Sequence, residues 1–253
     1  MLEDLRGKAV LVTGASIGIG AAAALEFGRL GANVAVHYNR NKEAAEAVCA
    51  AIRKHGSKAV AIGGDFGVPG TGKRVVEEAA KQLGRLDILL NNAGAMIRRA
   101  PFLELDSDLY DAAMNLNVKS VIEASQAAVP HMEKQGGGAI INVGSIAGAD
   151  GGGPGSGHYA CAKAYVHNLT RHMARDLASR KIRVNAVAPG VIETAFHAAT
   201  PPERMEVMKK SVPLGRAGTP QDCVGPILFL ASTSMGGYVS GQILHVNGGQ
   251  FMP

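Results

Sequence analysis

Short apolar runs recur along the whole chain and alternate with segments of helical periodicity. Few folds are compatible with this alternation. Most of the runs are apolar at every position, which is typical of strands buried between two layers of helices. We predict these strands from them: Ala9–Val12, Asn33–His37, Ala59–Ile62, Asp87–Leu90, Ala139–Val143, Ile182–Val187 and Gln242–Val246. Strands that alternate with helices predict a parallel sheet with right-handed crossovers.

Two longer segments of helical periodicity complete the pattern, from about Ser107 to Lys134 and from about Ser156 to Ala178. No polar linker separates the strands, and 47% of the residues are hydrophobic, which suffices for one large core. We therefore predict that residues 1–253 form a single α/β domain. Its doubly wound, seven-stranded parallel sheet should carry helices on both faces.

Composition excludes several functional classes. The first residues lack an apolar signal core and no long apolar run follows, so we expect neither a leader nor a membrane span. The three cysteines lie far apart and the histidines do not cluster, which predicts a cytoplasmic protein with no disulfide framework and no metal site. The net charge of +5 is scattered and Trp is absent, which argues against nucleic acid and favours an anionic cofactor or substrate.

The first predicted strand leads into a glycine-rich turn, Gly14–Gly20, which precedes a helical segment. Glycines at this place let backbone N–H groups approach a pyrophosphate, and the positive end of the following helix faces the same anion. A plain strand-to-helix turn has a similar composition, so the turn by itself leaves both interpretations open.

The end of the second strand distinguishes the two nicotinamide dinucleotides. A carboxylate there binds the 2′-hydroxyl of NAD, whereas an arginine binds the 2′-phosphate of NADP. This chain has Asn39 and Arg40 and no acid before Glu43, so we favour NADP(H), with NAD(H) as the alternative. In the competing interpretation, Arg40 is simply a solvated residue near the start of a helix. Asp65, after the third strand, either binds the adenine amino group or caps a turn.

Tyr159 and Lys163 lie four residues apart in a predicted helix, so their side chains share one helix face. A phenol normally titrates near ~10, and a nearby cation favours its ionised form. A tyrosine tuned in this way can exchange a proton with an alcohol oxygen. Val166, Thr170 and Met173 continue the same face, which we therefore expect to point inward.

Taken in chain order, the glycine-rich turn, Asn91-Asn92-Ala93-Gly94, Ser145 and Tyr159-xxx-Lys163 resemble the short-chain dehydrogenase/reductase family. The resemblance covers nearly the whole chain and is closest to the 3-oxoacyl-(acyl-carrier-protein) reductase type. It implies a Rossmann-type fold, a homotetramer, and an enzyme that interconverts a ketone and a secondary alcohol. The implied partners are NADP(H) or NAD(H) and a small carbonyl or alcohol substrate, with an acyl thioester among the candidates.

Family roles transfer residue by residue. Tyr159 corresponds to the catalytic acid/base, and Lys163 to the lysine that lowers its pKa and holds the nicotinamide ribose. Ser145 corresponds to the serine that orients the carbonyl, and Asn117 to the asparagine that holds a water of the proton relay. The implied cofactor contacts are Gly14, Ser16, Ile17, Gly18, Ile19, Gly20, Asn39, Arg40, Asp65, Phe66, Asn91, Ala93, Gly94, Tyr159, Lys163, Pro189, Gly190, Ile192 and Thr194.

The chain departs from the family pattern in three places. The spacing from Ser145 to Tyr159 is one residue longer than is common, and the extra length falls in Gly151–Gly157, either a mobile lid or a tolerated surface insertion. Ile17 stands where NADP-preferring relatives often carry a basic residue. The stretch Gly136–Gly138 lacks the cation expected near a carrier protein, which leaves a small free ketone or a sugar open as substrate.

Two other functions remain alternatives to the main interpretation. One is a sugar, polyol or small-ketone dehydrogenase that uses NAD(H). The other is a non-catalytic dinucleotide-sensing protein, which would keep the glycine-rich turn but need not keep Asn117, Ser145, Tyr159 and Lys163. The presence of all four residues favours an enzyme.

Overall fold

A computed structural model describes residues 2–197 and 200–253, and a parallel sheet forms its centre. The strands are β1 (Ala9–Val12), β2 (Asn33–Tyr38), β3 (Ala59–Gly63), β4 (Ile88–Asn91), β5 (Gly138–Val143), β6 (Ile182–Pro189) and β7 (Ile243–Val246). They are ordered β3-β2-β1-β4-β5-β6-β7, and every neighbouring pair is parallel. The predicted fold class is confirmed, and the strand ends lie within two residues of the prediction.

Helices connect the strands. The α-helices are α1 (Gly18–Arg29), α2 (Lys42–Arg53), α3 (Thr71–Leu83), α4 (Ser107–Met114), α5 (Ser120–Glu133), α6 (Ala147–Asp150), α7 (Gly157–Asp176), α8 (Pro202–Lys210), α9 (Pro220–Ala231) and α10 (Thr233–Gly236). A π-helical turn at Asn115–Lys119 joins α4 to α5, so the long helical region predicted from Ser107 to Lys134 is one run with an irregular middle.

Two apolar cores lie on opposite faces of the sheet. In β1, Val10 and Val12 pack on the face covered by α1, α2 and α9, whereas Leu11 packs on the face covered by α3, α5 and α7. All residues of β1 are fully buried, because a strand between two helix layers has no side open to water. This explains why the strands are apolar at consecutive positions instead of at alternate ones.

The strand order places a crevice at one edge of the sheet. β1 pairs with β2 on one side and with β4 on the other, so the connections that follow β1 and β4 leave in opposite directions. Such a switch point opens a crevice beyond the carboxyl ends of the strands, where doubly wound proteins bind ligands. Here β1, β4, β5 and β6 end side by side at Val12, Asn91, Val143 and Pro189.

Candidate active site

A cleft of about 910 Å³ opens at the carboxyl ends of the central strands. Many of the predicted site residues line it: Gly14, Ile17, Gly18, Ile19, Gly94, Ser145, Tyr159, Lys163, Pro189, Gly190, Ile192 and Thr194. The remaining predicted residues are not among those lining the cleft: Ser16, Gly20, Asn39, Arg40, Asp65, Phe66, Asn91, Ala93 and Asn117. The fold therefore gathers residues that lie far apart in sequence into one crevice.

The glycine-rich turn enters the cleft between β1 and α1. Gly14 has a φ of +62°, and a Cβ there would lie 3.0 Å from the Cα of Ala93, so a side chain would have no room. The Asn92 amide donates to the carbonyls of Thr13 and Gly14 at 2.8 and 3.0 Å. Among the described residues, no side chain caps the start of α1. The first N–H groups of this helix are therefore free of a side-chain partner.

His37, at the end of β2, is a positioning residue that the sequence analysis did not identify. Its Nδ1 accepts a hydrogen bond from the Gly14 N–H at 3.0 Å, and its Nε2 donates to the Gly64 carbonyl at 2.9 Å. The ring stacks on Phe66, with 4.2 Å between centroids. Burial lowers the pKa of His37 to about 4, so the neutral ring with its proton on Nε2 can serve both partners. The sequence signal that could have identified His37 is the presence of a polar residue at the end of a buried strand.

The residues expected near the adenosine lie at the ends of β2 and β3. Asn39 and Arg40 are exposed, and Arg40 forms no ion pair within the part of the chain that the structure describes. Asp65 is exposed and accepts a hydrogen bond from the Gly67 N–H at 2.9 Å, which is the turn-capping arrangement. Phe66 is buried beneath the ring of His37.

At the end of β4 the two asparagines have different surroundings. The Asn91 amide is buried and donates to Ser125 Oγ at 3.1 Å and to Asn142 Oδ1 at 2.9 Å, so this side chain ties β4 to α5 and β5. Asn92 lines the cleft. Of this pair, Asn92 is the one whose residue lines the cleft, and the cofactor contact that the sequence analysis assigned to Asn91 stays a prediction.

Asn117 lies in the π turn and is fully buried. Its Oδ1 accepts from the Ala95 N–H at 3.1 Å, and its Nδ2 donates to the carbonyls of Ala95 and Ala113, both at 3.0 Å. The side chain thus holds the loop after β4 in place, and its hydrogen-bond partners are all main-chain groups. We expected this residue to hold a relay water. In this arrangement a relay water would have to bind the main chain of Asn117. A π-helical turn of this kind is frequent at functional sites.

Ser145 and Tyr159 meet at the end of β5. Their hydroxyl groups are close enough that Ser145 acts on the pKa of Tyr159, and Ser145 Oγ accepts from the Ala147 N–H at 3.1 Å. The inward-facing side of α7 is as predicted, because Tyr159, Lys163 and Val166 are all buried. Burial raises the pKa of Tyr159 to about 12, although the neighbouring Ser145 hydroxyl acts in the opposite direction.

Lys163 lies one helical turn beyond Tyr159, and its Nζ is 5.6 Å from the centre of the tyrosine ring. The Nζ donates to the Val143 carbonyl at 2.7 Å, and burial lowers the pKa of the amine to about 8. The pKa of Tyr159 is raised overall, because both side chains are almost completely buried and removal from water is the largest cause. That Lys163 lowers the pKa of Tyr159 during the reaction stays a prediction.

The cleft is also lined by side chains that the sequence analysis did not identify. Phe196 lies beside Tyr159, with 5.5 Å between the ring centroids, and Met96 and Val207 extend this apolar surface. Two arginines, Arg99 and Arg204, line the same part of the cleft. These residues belong to loops and to α8, which carry no periodic or motif signal in the sequence.

No described helix has both the length and the apolar character needed to cross a bilayer. The described residues contain no group of three or more His, Cys, Asp or Glu side chains placed to hold a metal ion.

Comparison with known proteins agrees with this geometry. A family model described as Enoyl-(Acyl carrier protein) reductase matches residues 14–250. The chain is 42% identical to the 3-oxoacyl-(acyl-carrier-protein) reductase FabG of Staphylococcus aureus strain Mu50, over 97% of this chain and 98% of the relative. It is 40% identical to the L-rhamnose 1-dehydrogenase (NAD(P)(+)) of Sphingomonas sp. strain SKA58, over 99% of each chain.

Among solved structures, the chain is similar to a 7α-hydroxysteroid dehydrogenase complexed with NADH and 7-oxo glycochenodeoxycholic acid. The two chains are 39% identical, with a TM-score of 0.91 over 98% of this chain and 96% of the other. The rhamnose dehydrogenase and the hydroxysteroid dehydrogenase are named with a nicotinamide dinucleotide, and the matches extend over nearly the whole chain. The chain therefore belongs to the short-chain dehydrogenase/reductase family of oxidoreductases.

Proposed function

We propose that the protein is an NADP(H)-dependent enzyme that interconverts a ketone and a secondary alcohol, with Tyr159 as acid/base. The observation that carries the proposal is that Ser145 and Tyr159 line the cleft that the glycine-rich turn enters, with their hydroxyl groups close enough to interact. Two hydroxyls placed in this way can both hold one carbonyl oxygen. Lys163 supplies a cation one helical turn away.

In the direction of reduction, the ketone oxygen accepts hydrogen bonds from Ser145 and Tyr159. A nicotinamide dinucleotide, when bound, supplies the hydride. As negative charge grows on the oxygen, the Tyr159 hydroxyl donates its proton to it. Lys163 then stabilises the phenolate, because its ammonium lies close to the ring and both side chains are buried. Oxidation of an alcohol follows the same steps in reverse.

The residues around the glycine-rich turn fit a dinucleotide. The absence of side chains at Gly14 and Gly18 leaves the backbone of the turn open to the cleft, and the start of α1 has no side-chain cap. These are the features that bind a pyrophosphate. Lys163 and Thr194 also line the cleft, where they would hold the nicotinamide ribose and amide.

Arg40 supports the preference for NADP(H), since its exposed guanidinium follows β2, where a 2′-phosphate would lie. The experiment compares kcat/KM for NADPH and NADH in the wild type, in Arg40→Ala and in Arg53→Ala, an exposed arginine of α2 that serves as control. We expect the wild type and the control to favour NADPH, and Arg40→Ala to lose most of that preference. A wild type that favours NADH would refute this part of the proposal.

For the substrate we propose a 3-oxoacyl-reductase-like ketone, on the strength of the similarity to the FabG relative. The similarity to a rhamnose dehydrogenase favours a sugar or polyol as the second candidate. Absorbance assays with NADPH and NADH on matched panels of 3-oxoacyl thioesters, small ketones and sugars distinguish the two. Turnover confined to the sugars would reject the first candidate.

A non-catalytic, dinucleotide-sensing protein is the rival from another functional class. It would bind NADPH and turn over no member of the panel, and substitution of Tyr159 would leave its only activity, binding, unchanged. The joint presence of Ser145, Tyr159 and Lys163 in one cleft supports the enzyme instead.

A further inference from the structure

Two arginines from distant parts of the chain meet in the cleft. Arg99 belongs to the loop after β4, and Arg204 lies on α8. Both line the cleft that also contains Ser145 and Tyr159. The two guanidinium groups are close enough that the charge of Arg204 lowers the pKa of Arg99, in addition to the larger lowering caused by burial.

The glycine-rich segment before α7 connects the two arginines. Arg99 Nη1 donates to the Pro154 carbonyl at 2.8 Å, and the N–H of Ala100 donates to the Gly155 carbonyl at 3.0 Å. A Cβ at Gly153 would lie 3.6 Å from Arg204 Nη2. The segment that is longer than usual in this family therefore borders both cations, and its small residues leave the space between them and the cleft open.

Neither arginine has a carboxylate partner within residues 2–197 and 200–253. Nearby cations do have one, since Arg98 pairs with Asp106, and Lys209 pairs with Glu193 and Glu206. Asp150 also lines the cleft, but its Oδ1 accepts a hydrogen bond from the Gly152 N–H at 2.8 Å.

Two cations without an anion between them repel each other, and partial burial strengthens the repulsion. An anionic group placed between them would remove this cost and gain charge-assisted hydrogen bonds. The planar guanidinium fork suits carboxylate and phosphate oxygens in particular. The apolar side chains of Met96, Phe196 and Val207 line the same cleft and suit the carbon chain of such a ligand.

We propose that Arg99 and Arg204 bind an anionic head group of the substrate, a carboxylate or a phosphate, while its ketone lies against Ser145 and Tyr159. This inference rests on the proposed function and narrows its substrate class to ketones that carry a negative charge. A sugar acid, an oxo acid and a phosphorylated ketone meet the requirement, whereas a neutral sugar does not.

The first test measures kcat/KM for matched ketones that differ only in the head group: a medium-chain oxo acid, its methyl ester and the corresponding oxoalkyl phosphate. We expect the wild type to prefer an anionic ketone over the ester by about tenfold or more, the worth of one or two charge-assisted hydrogen bonds. The ratio should fall toward one in Arg99→Gln and in Arg204→Gln. It should keep its wild-type value in Arg98→Gln, the matched control. Comparison of the oxo acid with the oxoalkyl phosphate shows whether the two arginines prefer a carboxylate or a phosphate.

The second test does not depend on turnover. Ligand-observed NMR compares the binding of hexanoate, hexanamide and inorganic phosphate to the wild type and the variants. The inference predicts that hexanoate or phosphate binds more tightly than hexanamide, and that both glutamine variants abolish this difference. Equal binding of hexanoate and hexanamide without binding of phosphate would overturn the inference, whether or not a ketone is reduced. Turnover of the ester and the anions at equal rates would overturn it while the proposed function stands.

Discussion

Burial moves the pKa of Tyr159 up to about 12 and that of Lys163 down to about 8, and both shifts favour the neutral side chain. The sequence spacing correctly predicted that the two residues share a buried face of one helix. The direction of the Tyr159 shift could not be predicted from spacing. It depends on how completely the surrounding fold excludes water, which no local pattern records.

His37 gives a test at the same scale. Its pKa is lowered from 6.5 to about 4 by burial, so the folded state disfavours the charged ring. Above about pH 6.5 the neutral ring makes its full contribution to the free energy of unfolding, which is up to about 3 kcal/mol. This contribution is lost as the pH falls through 4. Protonation also removes the acceptor for the Gly14 N–H.

We therefore expect the melting temperature of the wild type to fall more steeply between pH 6.5 and 4 than that of His37→Asn. At neutral pH the variant should show a raised KM for the dinucleotide with a smaller change in kcat, because the glycine-rich turn is less well held. His172→Asn, a substitution of an exposed histidine, is the control. Parallel melting profiles for His37→Asn and the wild type would contradict this role.

The elements of the fold were predicted well where periodicity is regular and poorly where it is not. The strands and α7 were predicted nearly to their ends, because uninterrupted apolar runs and a continuous helix face mark them. The π turn within Ser107–Glu133 was not predicted, since one widened turn hardly alters the helical periodicity. Its position follows from contacts across the fold, in which Asn117 bonds the main chain of Ala95.

This packing predicts the effect of Gly94→Ala. A Cβ there would lie 2.7 Å from Asn117 Oδ1 and 3.3 Å from Lys163 Nζ, so it would displace the side chains that shape the cleft. We expect kcat/KM to fall by about tenfold or more, which corresponds to a displacement that costs about 1.4 kcal/mol. Gly157→Ala is the matched control, because no atom lies within 4 Å of its added Cβ. Steady-state kinetics of the two variants check the prediction, and equal activities would contradict it.

At the scale of the whole molecule, the sheet order places the cleft, and the cleft brings together residues that no local motif connects. The alternation of strands and helices predicted the doubly wound sheet, and therefore the edge at which the site lies. The convergence of Arg99 and Arg204 could not be predicted in the same way. It depends on where α8 and the loop after β4 meet, and loop paths are not encoded in hydrophobic periodicity.

The exposed apolar residues near the chain end support the expected homotetramer. Tyr238 and Met252 are exposed, and Leu244 is 36% exposed on the edge strand β7. Unpaired edges and clustered apolar side chains are typical of surfaces that bind a second copy. We expect sedimentation velocity to give a tetramer for the wild type and smaller species for Leu244→Glu. A monomeric wild type at micromolar concentration would rule out this assembly.

The most direct test of the account is the rate of hydride transfer in Tyr159→Phe, measured in a single turnover with the best ketone of the panel. The account predicts a fall of about 10²–10⁴-fold, the usual contribution of a positioned acid. The Kd of the dinucleotide should change by no more than about fivefold, the size of one hydrogen bond. A variant that transfers hydride at the wild-type rate would contradict the role of Tyr159 and with it the proposed mechanism.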